Sequence, residues 1–272
     1  MKKFHQLIFD GIGTSGQTSR ILDWAASTVT ANLQKAGAEV TTEWAVWPAS
    51  MLGTIGGKES WDASSIVAKA WLDEKLKHIP PSDGIILLAY SGGNKPVHEW
   101  LNENPDKLHR ISAVGFASDP FRPEGKQQHG MEELPGLYGL CGEDPSPIPD
   151  RAFWVAVRGD DITASPRDAI LRTAADFSGL FPAEILEQAI PKLTKGDFQL
   201  AWQLGVVQRD PIGYLRGLGG RLDYARQSII RYGSGFHTTH YRDTYAGGES
   251  PMVRFGNTIA YKVKKDHGLL KV

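Results

Sequence analysis

Short apolar runs bounded by turn residues recur along the first 160 residues, and helical periodicity fills the gaps between them. Gln6 to Asp10 reads as a strand with Leu7-Ile8-Phe9 as its buried part. A helix is predicted from about Ser19 to Ala36, with Ile21, Leu22, Ala25, Val29 and Leu33 on one face. Ala38 to Trp47 alternates as a strand. From Trp61 to His78, Ile66, Val67, Ala70, Trp71 and Leu76, with Ile79 just beyond, keep helical spacing. Gly84 to Ala89 follows a Pro-Pro-Ser-Asp-Gly turn and is apolar enough for a fully buried strand. Ile111 to Phe116 and Phe153 to Arg158 are further strands, with a long irregular loop from Gly125 to Asp150 between them. Strands alternating with helices predict an α/β fold, a mostly parallel sheet covered on both faces.

The pattern changes after Ser165. Ser165-Pro166-Arg167-Asp168 carries helix-start chemistry, a serine cap, an early proline and an acid three residues on. Helical stretches then follow to Tyr232, punctuated by Gly179, Pro182, Pro191, Gly196, Pro211 and the Gly217-Gly219-Gly220 cluster. Two parts are therefore expected: a core of residues 1–164 and 233–272, and a helical insertion of residues 165–232 serving as a cap or linker. Gly233-Ser234-Gly235 ends the insertion, and Pro251 to about Lys264 reads as a last helix.

Composition narrows the class. The chain has 272 residues, 41% hydrophobic and 22% charged, as an ordinary globular protein has. A net charge of −1 gives no reason to expect nucleic acid as a partner. No apolar run approaches a membrane span, so no transmembrane segment is expected, and the N-terminus lacks the apolar core of a signal peptide. Cys141 is the only cysteine, which leaves no intrachain disulfide and no cysteine-based metal site.

The candidate chemistry gathers at Ala89-Tyr90-Ser91-Gly92-Gly93. A buried strand runs into a small-x-Ser-x-Gly turn, and Pro96, Val97, Trp100 and Leu101 then share one helical face. Strand, tight turn and helix make a nucleophile elbow, which lifts the Ser91 hydroxyl above the sheet and aims the Gly92 N–H at a forming oxyanion. Small residues are needed at Ala89 and Gly93, where strand and helix backbones come close. Gly11-Ile12-Gly13-Thr14 after the first strand fits neither the dinucleotide nor the Walker pattern, and Thr14 is a candidate second oxyanion donor. A serine nucleophile needs a base and an orienting acid. Asp160 or Asp161 after a strand, then His237 or His240 in a late loop, supply Ser…Asp…His order. Spacing would also permit a metal at His237, His240 and Asp243, though three ligands this close in one loop are a weak signal, and no metal or organic cofactor is expected.

These residues carry a family resemblance. Gly13-Thr14, the 89–93 elbow, Val114-Gly115-Phe116-Ala117-Ser118-Asp119-Pro120-Phe121-Arg122-Pro123-Glu124-Gly125, Arg158-Gly159-Asp160-Asp161-Ile162, the helical insert and the late histidine loop resemble the lysin B enzymes. These come from phages of mycobacteria and related actinobacteria and are cutinase-like α/β-hydrolases. The Gly-Phe-x-x-Asp-Pro-x-Arg-Pro-x-Gly stretch is its most specific part. The resemblance implies Ser91 as nucleophile, Asp160 as acid, His237 or His240 as base, and Thr14 and Gly92 at the oxyanion hole. Relatives often have glutamine beside the serine, where this chain has Gly92. It further implies a mycolylarabinogalactan esterase, a lipid–glycan ester of the host envelope as partner, synthesis in the infected cytoplasm and action at the envelope after lysis. Trp202, Leu204, Val206, Tyr214 and Leu218 of the insert would then suit a long acyl chain. A general cutinase-like esterase on shorter esters and a catalytically silent scaffold are the alternatives.

Overall fold

The computed structural model describes residues 1–14, 21–51, 56–128, 131–175, 208–243 and 248–270. Five parallel strands form one sheet: β1 (Lys3–Phe9), β2 (Glu39–Trp44), β3 (Gly84–Tyr90), β4 (Ile111–Ala117) and β6 (Ala152–Val155), in the order β2-β1-β3-β4-β6. Strands β3 and β4 are buried along their whole length. A strand covered on both faces has no polar side to present, which is why its sequence is continuously apolar. On one face lie α2 (Trp61–His78) and α3 (Asn94–Glu103), contributing Ala68, Leu72, Val97 and Trp100 to a core with Leu7, Leu87 and Phe116. On the other lie α1 (Leu22–Lys35) and α6 (Pro251–Asp266), whose Leu22, Val29, Phe255 and Ile259 pack on Ile8, Ile86 and Leu88. This is the mostly parallel α/β sheet, covered on both faces, that the alternation of elements predicts.

The chain leaves β1 toward β2 on one side, while β3 pairs with β1 on the other. The strand order reverses between β1 and β3, and in open parallel sheets the crevice above such a reversal is where ligands bind. Two loops meet there: Gly11–Thr14 after β1 and Ser91–Gly93 after β3. Gly93 is the hinge of that meeting, because a side chain on it would lie 2.3 Å from the Phe9 carbonyl. The close approach inferred from the small residues of the elbow is present.

Several local expectations need correction. Ser165-Pro166 does not start a helix; it forms strand β7, antiparallel to β5 (Leu137–Tyr138), and α4 begins only at Leu171 and ends at Ala175. The buried Arg172 guanidinium donates to the Ser165 and Pro166 carbonyls at 2.8 Å each, and the Pro166 carbonyl also closes a single turn with the Ala169 N–H at 3.2 Å. The glycines at 217, 219 and 220 do not interrupt α5 (Pro211–Gly233), and Pro211 opens that helix instead of breaking one. Interior glycine costs only about 1 kcal/mol, less than a stop signal requires. In α2 the inward face is Ser64, Ser65, Ala68, Leu72 and Leu76, while Ile66 and Val67 are exposed. Polar contacts decide this phase: Ser65 Oγ donates to Glu99 of α3 at 2.5 Å, and Lys69 pairs with Glu99 and Glu103. Of the expected helical insertion, residues 176–207, with Trp202, Leu204 and Val206, lie outside the described residues.

Candidate active site

Ser91 sits at the end of β3 with φ +52°, in the left-handed region that a non-glycine residue enters only when its surroundings impose it. The imposing contacts are visible. Asn94 Nδ2 donates to the Ser91 carbonyl at 2.7 Å and to the Ala117 carbonyl at 3.0 Å, and Trp61 Nε1 donates to the Gly92 carbonyl at 3.0 Å. Gly11 lies beside the serine, close enough that an added Cβ would meet Ser91 Cβ at 3.3 Å. A Cβ on Gly92 would lie 2.4 Å from Ile12 Cγ1, so the branched Ile12 side chain fills the space that a side chain at 92 would need.

Asp160 is delivered by the loop after β6, and His237 by the turn that follows α5. The Ser91 hydroxyl lies 2.8 Å from His237 Nε2, and His237 Nδ1 lies 3.0 Å from Asp160 Oδ1. As a carboxylate Asp160 can only accept, and it does so several times over: from Tyr241 Oη at 2.7 Å and from Ser118 Oγ on Oδ2, and from the Ile162 N–H at 3.3 Å on Oδ1. Nδ1 is therefore the protonated ring nitrogen, and Nε2 keeps its lone pair toward Ser91. The imidazole stands between two phenol rings, Tyr90 at 5.3 Å and Tyr232 at 4.9 Å, and Tyr90 Oη also bonds the His237 carbonyl. Burial, and then the Asp160 charge, push the Tyr90 and Tyr241 hydroxyls well above the ordinary phenol range, so both remain proton donors at neutral pH.

The two ambiguous pairs separate clearly in space. His237 meets Ser91 and Asp160, whereas His240 stacks on Phe236 at 4.1 Å and lines a separate cavity of about 710 Å³. Asp161 turns away from the serine and binds α5, through Arg231 Nη2 at 2.7 Å and the Tyr224 hydroxyl. Gly11 and Ile12 touch the elbow, and Thr14 closes their turn, with its N–H and hydroxyl both bonded to the Gly11 carbonyl, at 3.2 and 2.6 Å. Among the described residues no group of three His, Cys, Asp or Glu side chains could hold a metal ion, which includes His237, His240 and Asp243. Nor is any described helix long and apolar enough to cross a membrane.

Residue-type reasoning missed Ser118, Tyr241, Tyr232 and Asn94. Ser118 stood in view after an apolar strand, but its place beside the histidine is a long-range fact. The Asp-Pro-x-Arg-Pro stretch has a scaffold role. Buried Arg122 donates to the Thr163 and Lys126 carbonyls at 2.8 Å and to the Leu137 carbonyl at 2.6 Å, tying the segments at Lys126 and Leu137 to the loop that carries Asp160.

No protein-family model matches the chain, and no curated protein matches it. Solved structures do resemble it in fold. A cutinase-like protein from Cryptococcus sp. is 17% identical over 60% of this chain and 80% of its own, with a TM-score of 0.49. Lysin B from Mycobacteriophage D29 is 16% identical over 62% of this chain and 69% of its own, with a TM-score of 0.43. The catalytic core domain of acetyl xylan esterase from Trichoderma reesei is 17% identical over 70% of this chain and 97% of its own, with a TM-score of 0.41.

Proposed function

We propose that this chain is a serine carboxylic-ester hydrolase with Ser91 as nucleophile, His237 as general base and Asp160 as the orienting acid. The observation that carries it is the continuous Ser91 Oγ–His237 Nε2–His237 Nδ1–Asp160 line of 2.8 and 3.0 Å contacts above the strand-order reversal. In that geometry Ser91 Oγ attacks the ester carbon as its proton passes to Nε2, and the carbonyl electrons move onto oxygen. The oxyanion is assigned to the Gly92 N–H and to Thr14, whose N–H would exchange its turn bond to Gly11 for the new charge. Collapse expels the alcohol, which takes the proton from Nε2 and leaves an acylated serine. Water, deprotonated by the same nitrogen, then releases the acid. The step needs no metal or organic cofactor.

For the substrate, we propose the ester between mycolic acid and arabinogalactan, cut for phage-mediated lysis of the host. The support is the lysin B resemblance of the 13–14, 89–93, 114–125 and 158–162 segments. With that substrate we propose synthesis in the host cytoplasm and action at the envelope once lysis begins. Hydrolysis of p-nitrophenyl esters of rising chain length, wild type beside Ser91→Ala, tests the chemistry. Turnover that persists in Ser91→Ala overturns it. Release of mycolic acid from purified mycolyl-arabinogalactan then tests the substrate, and activity confined to short soluble esters would replace it with a general cutinase-like esterase.

A further inference from the structure

We propose that Ser118 is a positioning residue of the relay, the counterpart of Ser91 on the neighbouring strand; this rests on reading Ser91, His237 and Asp160 as catalytic. Strands β3 and β4 run parallel with Tyr90 opposite Ala117, so Ser91 and Ser118 leave their strands at matching positions. Both do so in the left-handed region, with φ +52° and +46°. Asn94 bridges the two strand ends, donating to the Ser91 and Ala117 carbonyls. His237 spans the gap, with Nε2 at 2.8 Å from Ser91 Oγ and Nδ1 at 2.9 Å from Ser118 Oγ.

Proton counting assigns the direction of each bond. A serine hydroxyl has one hydrogen, and toward a carboxylate it can only donate, so the Ser118 hydrogen points to Asp160 Oδ2. Its oxygen is then an acceptor toward Nδ1–H, sharing that hydrogen with Asp160 Oδ1. Ser118 therefore fixes the carboxylate plane and the imidazole together, and it faces Nδ1 when His237 gains the Ser91 proton. Backbone geometry alone does not call for this residue. Glycine would adopt the same φ with less strain, and the position is fully buried.

The test compares Ser118→Ala with Ser118→Gly, the second of which removes the hydroxyl while easing the backbone. With p-nitrophenyl butyrate, kcat is expected to fall about ten- to a hundred-fold in both, with KM within about twofold of wild type. Unchanged kcat in Ser118→Gly, beside abolished turnover in Ser91→Ala, would overturn the assignment and leave the esterase reading standing. A second measurement does not depend on activity or on a variant's folding. In wild-type protein the His237 Nδ1 proton should give a far-downfield NMR resonance with cross-relaxation to the Ser118 β protons. A resonance with no cross-peak to Ser118 overturns the proposal. Loss of Ser91-dependent turnover in wild type, with that cross-peak present, instead removes the esterase reading and leaves the contact.

Discussion

Two buried histidine–aspartate pairs stand above this sheet, built from the same residue types and differing in what the imidazole faces. His237 and Asp160 are 4% and 1% exposed, and the ring nitrogen turned away from the acid meets Ser91 Oγ. His98 and Asp119 are 2% and 0% exposed and joined at 2.9 Å, yet no nucleophile lies within reach of the second nitrogen among the hydrogen bonds of the site. That nitrogen stands 3.7 Å from Asp144. Phe116 stacks on the His98 ring at 4.1 Å, and Trp154 Nε1 donates to Asp119 at 2.9 Å, sealing the pair into the fold. One pair is exposed to chemistry along a single edge, and the other clamps α3 to the end of β4. Burial and pairing are common to both histidines; what sets His237 apart is the Ser91 hydroxyl on its second nitrogen.

The largest effects should separate the pairs by function. Ser91→Ala should reduce kcat by about 10⁶-fold toward ester substrates while leaving the thermal midpoint nearly unchanged. Asp160→Asn should cost about 10⁴-fold in kcat, because the amide can donate and thereby favours the wrong His237 tautomer. If Asp160→Asn retains full kcat, the comparison collapses, and the two pairs are equivalent structural clamps.

His98→Gln tests the other half. Leaving Asp119 buried without its histidine partner should lower unfolding free energy by about 3 kcal/mol, measured by denaturant titration, with kcat unaltered. A loss of kcat without a loss of stability would place His98 in the chemistry.

The pH dependence of stability offers the finest distinction. Burial pulls the His98 pKa down, but the Asp119 charge and hydrogen bond outweigh it, and the net shift is upward from 6.5. A raised folded pKa means the folded state holds the proton more tightly than the unfolded chain does. The contribution is thus fully present below the unfolded value and is lost as pH rises through the raised folded one. Wild-type stability should show that decline, and His98→Gln should flatten it. A decline of equal slope in the variant would assign it to other groups.

The apolar strands, α1 and the extent of α2 from Trp61 to His78 were readable as local pattern, since burial on both faces and helical periodicity are written into successive residues. The inward face of α2 was not, because Glu99, 34 positions from Ser65, selects it through hydrogen bonds. Asp160 and Asp161 are adjacent in sequence and opposite in use, one held against His237 and the other against Arg231.

By itself the sequence determined the strand–turn–helix at Ser91, the alternation that makes a parallel sheet, and the Ser…Asp…His order of candidates. Local sterics and hydrophobic burial act over a few residues, so they leave a local record. Only the tertiary structure decided that His237 rather than His240 meets Ser91, across 146 positions of chain, and that Ser118 faces the same ring. These contacts depend on where packed elements bring loop ends together. A side chain in a loop carries no periodic signal of the partner it will meet there.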